Sequence, residues 1–238
     1  MPLPKISTPT YELEIPSTKK KIRYRPFLVK EEKILIIAME SQSDTEIANA
    51  VKDVLSTCIL TKGVKVDALS TFDIEYLFLN IRGKSVGEDV EVLVTCPDDN
   101  KTKVPVRINL DDIKIIIHDE HKRDIKLDDS LSMRMRYPSI NEFIKSNFST
   151  SEVKSEDTFD LIISCIEQIF NDEESWSTSD CTKEEMNDFL DQLNSNQFKE
   201  IEKFFDTMPK LSHTLTVNNP NTKVKSDIKL EGLAAFFA

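Results

Sequence analysis

The sequence is poor in the residues that most catalytic and ligand sites require. Among 238 residues there are four glycines, three histidines and one tryptophan. So few glycines leave few places where the backbone can approach a ligand closely, and nothing indicates a serine or cysteine nucleophile with a base beside it. Gly83-Lys84-Ser85 looks like the end of a phosphate-binding loop, but the glycine that such a loop needs five residues earlier is Phe78. We therefore expect no enzymatic activity, no catalytic residues and no cofactor.

Positive charge is also in short supply. Lys and Arg total 31 against 42 Asp and Glu, which gives a formal net charge of -11. Because such a chain repels a phosphate backbone, we expect no nucleic acid among its partners. Apolar runs such as Ile34–Met39 fall far short of the roughly 18 residues of a membrane span, and residues 1–21 contain no signal-peptide core. We expect a protein of a reducing cytosol that does not bind membranes.

The four cysteines stand singly, with no CxxC spacing: Cys58, Cys96, Cys165 and Cys181. This pattern argues against a disulfide framework and against a complete zinc site. Cys96 precedes a hairpin turn, where zinc ribbons place ligands, but the turn of a second hairpin offers Asn218 and Asn219. The spacing of His118 and His121 suits a solvated turn. We interpret the hairpins as a degenerate zinc-ribbon-like pair without metal. An intact zinc ribbon or a metal-dependent enzyme is the alternative.

Local patterns predict an α+β fold in which short antiparallel hairpins pack with a bundle of amphipathic helices. Alternating apolar residues predict hairpins over residues 11–28, 89–108 and 212–230, with further extended segments over 113–117 and 125–136. Helical spacing and capping residues predict helices over 29–40, from Ser43, over 72–81 with a stop at Gly83, from Ser139, over 158–170, from Thr182 and over 195–208. Trp176 falls in an acidic loop, 171–180.

We divide the chain into a mixed strand and helix region over 1–137, a helical region over 138–208, and a closing hairpin with an apolar tail over 209–238. These regions are expected to form one continuous body. Thr102-Lys103-Val104 recurs as Thr222-Lys223-Val224, which suggests a duplicated hairpin, although so short a match also arises by chance. The tail, with Leu233, Phe236 and Phe237, could insert into a partner's groove or pack onto the protein's own helices.

Four segments resemble one known family. They are the stretch YRPFLVKEEK at 24–33, FDIEYLF at 72–78, IRGKSVGE at 81–88, and the closing Gly232-Leu233 with Phe236-Phe237. In order, spacing and overall length they are similar to the baseplate hub proteins of T-even-type contractile-tailed bacteriophages. The resemblance is dense over about residues 10–110, loose through the helical middle, and returns at the tail.

This resemblance implies a non-enzymatic structural or assembly protein of the phage tail baseplate hub. Its implied partners are other hub proteins and the tape-measure protein within a multi-protein assembly. It would be made in the cytoplasm of the infected bacterium and would reside in the virion tail baseplate if it is a subunit. Relatives often carry cysteine pairs in ribbon hairpins, of which this chain keeps only Cys96.

The matched motifs suggest which residues face a partner or set the conformation: Arg25, Phe27, Arg82, Lys84, Ser85, Leu233, Phe236 and Phe237. Each of the five at 24–33 and 81–88 could equally be a helix cap or part of an internal ion pair. A transient tail assembly chaperone, absent from the mature virion, is the nearest alternative function, since acidic charge and an apolar tail also suit a protein that holds a client.

Overall fold

The computed structural model describes residues 6–142 and 155–231, and it has a mixed α/β fold. The strands of the described part are β1 Tyr11–Glu14, β2 Lys21–Tyr24, β3 Asp89–Thr95, β4 Lys103–Asn109, β5 Lys114–Ile116, β6 Asp124–Lys126, β7 Ser132–Met135, β8 Ile166–Phe170, β9 Ser175–Ser177, β10 Lys210–Asn218 and β11 Lys225–Glu231. The helices are α1 Val29–Glu40, α2 Asp44–Cys58, α3 Thr71–Val86, α4 Ser155–Cys165, α5 Lys183–Asp191 and α6 Ser195–Thr207. Residues 140–142 begin a further helical segment.

The chain divides into two compact units. The first comprises residues 1–116 and 210–238, and the second comprises residues 117–209. This division differs from the one expected from the sequence, because residues 117–137 belong with the helical segment and the closing hairpin belongs with the amino-terminal part. The small antiparallel sheets and amphipathic helices confirm the predicted α+β class.

In the first unit, a hairpin precedes three helices. β1 pairs with β2 in the register Leu13 opposite Ile22, and the β2 side chains Ile22 and Tyr24 are buried. Helix α2 begins where the Ser43 hydroxyl accepts the Glu46 N–H, and α3 begins where the Ser70 hydroxyl accepts the Asp73 N–H. Such side-chain caps supply an acceptor to N–H groups that have no partner within the helix. The helix start predicted at Ser43 is therefore confirmed, and the helix predicted over 72–81 begins at Thr71.

The first unit also contains two hairpins that share one hydrophobic core. β3 and β4 form one hairpin, while β10 pairs with β11 on one side and with β5 on the other. The alternate residues of β3 are buried, as the predicted alternation requires. The buried side chains of the shared core come from both hairpins and from α3: Leu79, Val90, Val92, Val94, Ile108, Leu211, Leu215 and Val217.

The second unit is a four-stranded sheet in the order β6-β7-β8-β9 with helices packed on it. Its core joins sheet residues such as Met133 and Ile169 to Met186 of α5 and to Ile201 and Phe204 of α6. Helix α5 begins with the predicted capping box, in which Thr182 and Glu185 each accept the other's backbone N–H. Helix α6 ends at Thr207, one residue before its predicted end.

Two details of the predicted helices are wrong. The helix expected over 158–170 ends at Cys165, and Ile166–Phe170 form β8, which pairs with both β7 and β9. Short apolar runs fit a buried helix and a central strand equally well. Trp176, expected in a loop, lies in β9 opposite Ile169. Helix α3 does not stop at Gly83, which is buried inside it, but at Gly87, whose φ of 131° favours glycine.

Candidate functional site

Two of the motifs that carry the family resemblance, at 24–33 and 81–88, lie against each other in the first unit. The Phe27 N–H donates a hydrogen bond to the Ser85 hydroxyl over 2.9 Å, and that hydroxyl donates to the Ile81 carbonyl over 2.6 Å. Phe27 itself is buried. Residues 24–33 and 81–88 therefore form one structural site, although Phe27 and Ser85 are 58 positions apart in the sequence.

Arg25 joins three elements of this site. Its guanidinium donates to the Glu31 carboxylate over 2.9 Å and to the Pro26 carbonyl over 2.8 Å. Its backbone N–H donates to the Cys58 carbonyl at the end of α2 over 3.0 Å. We call Arg25, Glu31 and Cys58 the first Arg–Glu cluster. It fixes the exit of β2, the start of α1 and the end of α2 relative to one another.

Glu31 is a buried carboxylate that remains charged because of its partners. Besides Arg25, it accepts the Leu28 N–H over 2.8 Å, and the Lys30 ammonium lies 3.2 Å from it. Burial on its own raises the pKa of Glu31, but the hydrogen bonds from Arg25, Leu28 and Lys30 outweigh it and lower the pKa to about 2. The bond to Leu28 also caps α1, where a negative charge is favoured by the helix dipole.

The same arrangement recurs in the second unit. Arg136 donates to the Glu142 carboxylate over 2.5 Å and to the Tyr137 carbonyl over 3.3 Å. Glu142 also accepts the Ser139 N–H over 2.8 Å, and the Arg136 N–H donates to the Cys165 carbonyl over 2.7 Å. Burial on its own raises the pKa of Glu142, but the hydrogen bonds from Arg136 and Ser139 outweigh burial and lower the pKa to about 2. We call Arg136, Glu142 and Cys165 the second Arg–Glu cluster.

The two clusters match step by step. In each, the glutamate follows the arginine by six residues, and the cysteine is buried at the end of a helix. The residue before the arginine pairs with the residue after the cysteine, as Tyr24 does with Ile59 and Met135 with Ile166. The second cluster is not predicted from the sequence. The sequence feature that could have predicted it is the spacing of Arg136, Pro138 and Glu142. The same three residue types occur in the first cluster, except that the proline there follows the arginine directly.

Ser85 lies in a hydrolase-like sequence pattern, although we expected no serine nucleophile from the sequence. Residues 83–87 read Gly-Lys-Ser-Val-Gly, which matches the GxSxG of hydrolase nucleophile elbows. Such an elbow is a strained turn between a strand and a helix, whereas Ser85 lies inside the last turns of α3. Its hydroxyl is engaged by Phe27 and Ile81 backbone groups. The geometry fits a structural hydroxyl.

The remaining predicted site residues lie near this pair of motifs or beyond the described chain. Lys84 forms an ion pair with Glu88, and its ammonium lies 5.9 Å from the centre of the Tyr11 ring. Arg82 is half-buried, and burial lowers the pKa of its guanidinium. The tail residues Leu233, Phe236 and Phe237 lie outside the described residues. Partner contact by any of the predicted residues stays a prediction.

The turn between β3 and β4 and the turn between β10 and β11 form a second candidate site in the first unit. The Asn100 N–H donates to the Cys96 carbonyl, and the Lys223 N–H donates to the Asn219 carbonyl, each over 2.9 Å. Asn100 and Lys223 both have positive φ, 52° and 63°. In the two turns, Cys96 is therefore the equivalent of Asn219. The sequence repeat would instead have made Thr102 the equivalent of Thr222.

Side-chain hydrogen bonds connect the two turns. The buried Asn219 amide donates to Asp98 over 3.0 Å and to Asp99 over 3.0 Å. The Thr222 hydroxyl donates to Asp98, and the Asn221 amide donates to Thr102 over 2.9 Å. We call these residues the hairpin network. The bonds from Thr222 and Asn219 lower the pKa of Asp98.

The hairpin network joins the two turns in which the sequence pattern predicts the ligand positions of a degenerate zinc ribbon. Cys96 is fully buried, and burial raises the pKa of its thiol, which disfavours the thiolate that zinc requires. Asn219 presents its N–H donors to the carboxylates, and an N–H group cannot ligate a cation. Within 6–142 and 155–231, no group of three His, Cys, Asp or Glu side chains is placed to hold a metal ion.

These observations define a mixed α/β protein in which the recognisable motifs hold the protein's own elements together. No helix in the described part of the chain is long and apolar enough to cross a bilayer. The family model described as T4 bacteriophage base plate protein matches residues 8–238, so the chain belongs to this family of phage baseplate proteins. A search of curated proteins found no match, and neither did a search of solved structures.

Proposed function

We propose that this chain is a non-enzymatic structural subunit of the phage baseplate hub. The observation that carries the proposal is the family match, which covers nearly the whole chain, from residue 8 to residue 238. The family is one of baseplate proteins. The assignment to the hub rests on the resemblance of residues 24–33, 72–78, 81–88 and the closing tail to hub proteins.

The contacts of these motifs support a structural role. Arg25, Glu31 and Ser85 join β2, α1, α2 and α3 through hydrogen bonds of 2.6–3.0 Å. Partly buried ion pairs with this many hydrogen bonds specify one arrangement of the elements that they join. A subunit that occupies a fixed place in a large assembly needs such a defined shape. The expected partners are other hub proteins and the tape-measure protein.

The composition of the virion tests the proposal. Purified virions are digested and analysed by quantitative mass spectrometry, with a known baseplate protein as the reference for copy number. A structural subunit gives peptides of this chain in a fixed ratio to the reference. A transient assembly chaperone gives the same peptides in the lysate of infected cells and none in the virion, a result that would reject the subunit. In both cases the protein is synthesised in the cytoplasm of the infected bacterium.

A further inference from the structure

Two long stretches of the chain contain the same elements in the same order. We call residues 11–109 the first stretch and residues 124–231 the second stretch. Each opens with an antiparallel hairpin, β1–β2 or β6–β7, whose second strand leads directly into the arginine of an Arg–Glu cluster. In both hairpins an arginine of the second strand lies opposite an acidic residue of the first strand, in the pairs Arg23 with Glu12 and Arg134 with Asp124. The match between the clusters therefore extends to the strands before them.

The last helix of each stretch, α3 or α6, contacts the opening hairpin in the same way. Each helix is preceded by a side chain that accepts the N–H of the third helical residue, which is Asp73 in α3 and Gln197 in α6. The Asp73 carboxylate accepts the Ser17 N–H in the turn of β1–β2 over 2.9 Å. The Gln197 amide donates to the Leu127 carbonyl in the turn of β6–β7, also over 2.9 Å. The third helical position therefore joins helix and hairpin in both stretches.

The end of this helix and the hairpin after it also match. The Ser85 hydroxyl near the end of α3 donates to the carbonyl four residues before it over 2.6 Å, and the Thr207 hydroxyl at the end of α6 does the same over 2.6 Å. A closing hairpin follows in each stretch, and its turn has the same backbone hydrogen bond. Strand β9 and helix α5 have no counterpart in the first stretch, whose residues 59–69 are all described and contain no strand or α-helix. So many details in one order indicate a common structural unit.

The two stretches differ at one hydrogen bond. In the first stretch, the Ser85 hydroxyl accepts the N–H of Phe27, which is the second residue after the cluster arginine. The second residue after Arg136 is Pro138, and proline has no backbone N–H to donate. The hydroxyl at the end of α6 therefore cannot accept a hydrogen bond from the equivalent position.

His121 supplies a donor to that hydroxyl instead. Its Nδ1 lies 3.0 Å from the Thr207 hydroxyl oxygen. Because the single hydrogen of this hydroxyl is donated to the Lys203 carbonyl, the oxygen accepts the second bond and Nδ1 carries the proton. The His121 ring also stacks on Tyr137, with 5.6 Å between the ring centres, and its Nε2 lies 3.0 Å from the Tyr137 hydroxyl. The ring therefore connects the end of α6 to the residue after the cluster arginine.

We propose that the two stretches are tandem copies of one structural unit, and that His121 takes the place of the Phe27 amide in the second copy. The copies include most of the described chain, so the duplication is larger than the hairpin repeat that the sequence suggests. His121 lies just before β6, and it ties the entry to the second copy to the end of α6. The inference rests on contacts within the chain and not on the proposed function.

Thermal unfolding of full-length variants tests whether the copies are equivalent. His121→Ala removes the bond to Thr207 and the stacking on Tyr137, and it should lower the Tm of the second unit by at least about 4 °C. Pro138→Ala restores a backbone N–H at the position equivalent to Phe27. In that background the N–H bonds Thr207, so His121→Ala should lower the Tm by no more than about half as much. Adding Thr207→Val removes the acceptor and should abolish this rescue.

Two further measurements do not rely on the Tm. In the variant with both His121→Ala and Pro138→Ala, the amide introduced at position 138 should exchange its hydrogen at least about tenfold more slowly than when Thr207→Val is also present, as measured by NMR. Sequence profiles of the two stretches from members of the family should align Arg25 with Arg136 and Ser85 with Thr207. An equal Tm loss from His121→Ala in both backgrounds, an amide at 138 that Thr207→Val does not affect, or a profile match in another register would overturn the proposal.

Discussion

Replacing Glu31 with glutamine removes the charge at the centre of the first Arg–Glu cluster and keeps the shape of the side chain. The pKa of Glu31 is lowered to about 2 from an ordinary value of 4.5. A difference of this size corresponds to about 3 kcal/mol in favour of the charged form in the folded state. The side chain is only 3% exposed, so solvent does not screen these interactions strongly. We expect Glu31→Gln to lower the free energy of unfolding by about 3 kcal/mol at pH 7.

The pH dependence follows from the direction of the shift. A carboxyl whose pKa is lowered in the folded state contributes its stability fully above the unfolded pKa of about 4.5. That contribution is lost as the pH falls from about 4.5 to about 2, through the folded pKa. The difference between wild type and Glu31→Gln should therefore be constant from pH 7 to pH 5 and shrink steadily below pH 4.5.

Urea unfolding followed by circular dichroism at a series of pH values measures this difference. Glu32→Gln is the matched control, because Glu32 lies in the same first turn of α1, whereas the Arg25 guanidinium donates to Glu31 and to the Pro26 carbonyl. It removes the same charge from the helix terminus and should cost less than about 1 kcal/mol. Equal losses for the two variants, or a Glu31→Gln loss that does not shrink in acid, would refute the assigned role of the cluster. Because the chain has two units, the transition of the first unit must be resolved from that of the second.

Three further predictions concern the remaining sites. Glu142→Gln should destabilise the protein in the same direction as Glu31→Gln but by less, because the Glu142 side chain is 26% exposed, and the same urea series compares them. Asn219→Ala should lower the Tm by about 2–6 °C. Asn221→Ala removes an exposed hydrogen bond and should lower the Tm by less. Equal effects of the two substitutions would contradict the central place of Asn219 in the hairpin network. Purified protein should contain far less than one zinc per chain by elemental analysis, and a chelator should leave the Tm unchanged; stoichiometric zinc would favour the ribbon alternative.

Local sequence signals predict the parts of this fold that depend on neighbours along the chain. The Thr182 and Glu185 capping box needs only one helical turn, and the alternation of Val90, Val92 and Val94 needs only one strand with one buried face. Both are read directly from residue types and spacing. The helix start at Ser43 is predicted for the same reason.

The parts that depend on distant residues are predicted less well. Ile166–Phe170 is a strand because β7 and β9 flank it, and neither neighbour is visible in its own sequence. Gly83 does not end α3, which continues to Val86. Likewise, the motif resemblance identifies Arg25 and Ser85 as important but not their partners, since Arg25 reaches Cys58 and Ser85 reaches Phe27 across long intervals of sequence.

The hairpin network has a consequence for the conditions that the protein tolerates. A ribbon held by zinc depends on thiolates, which oxidise, and on a metal ion, which chelators remove. In this chain, Asn219 and Asp98 join the two turns by hydrogen bonds, and the single Cys96 nearby is buried. A hub subunit as proposed above would be made in a reducing cytoplasm and would later meet an oxidising medium in the released virion. The connection between these turns contains no redox-active group, so it should be the same in both environments.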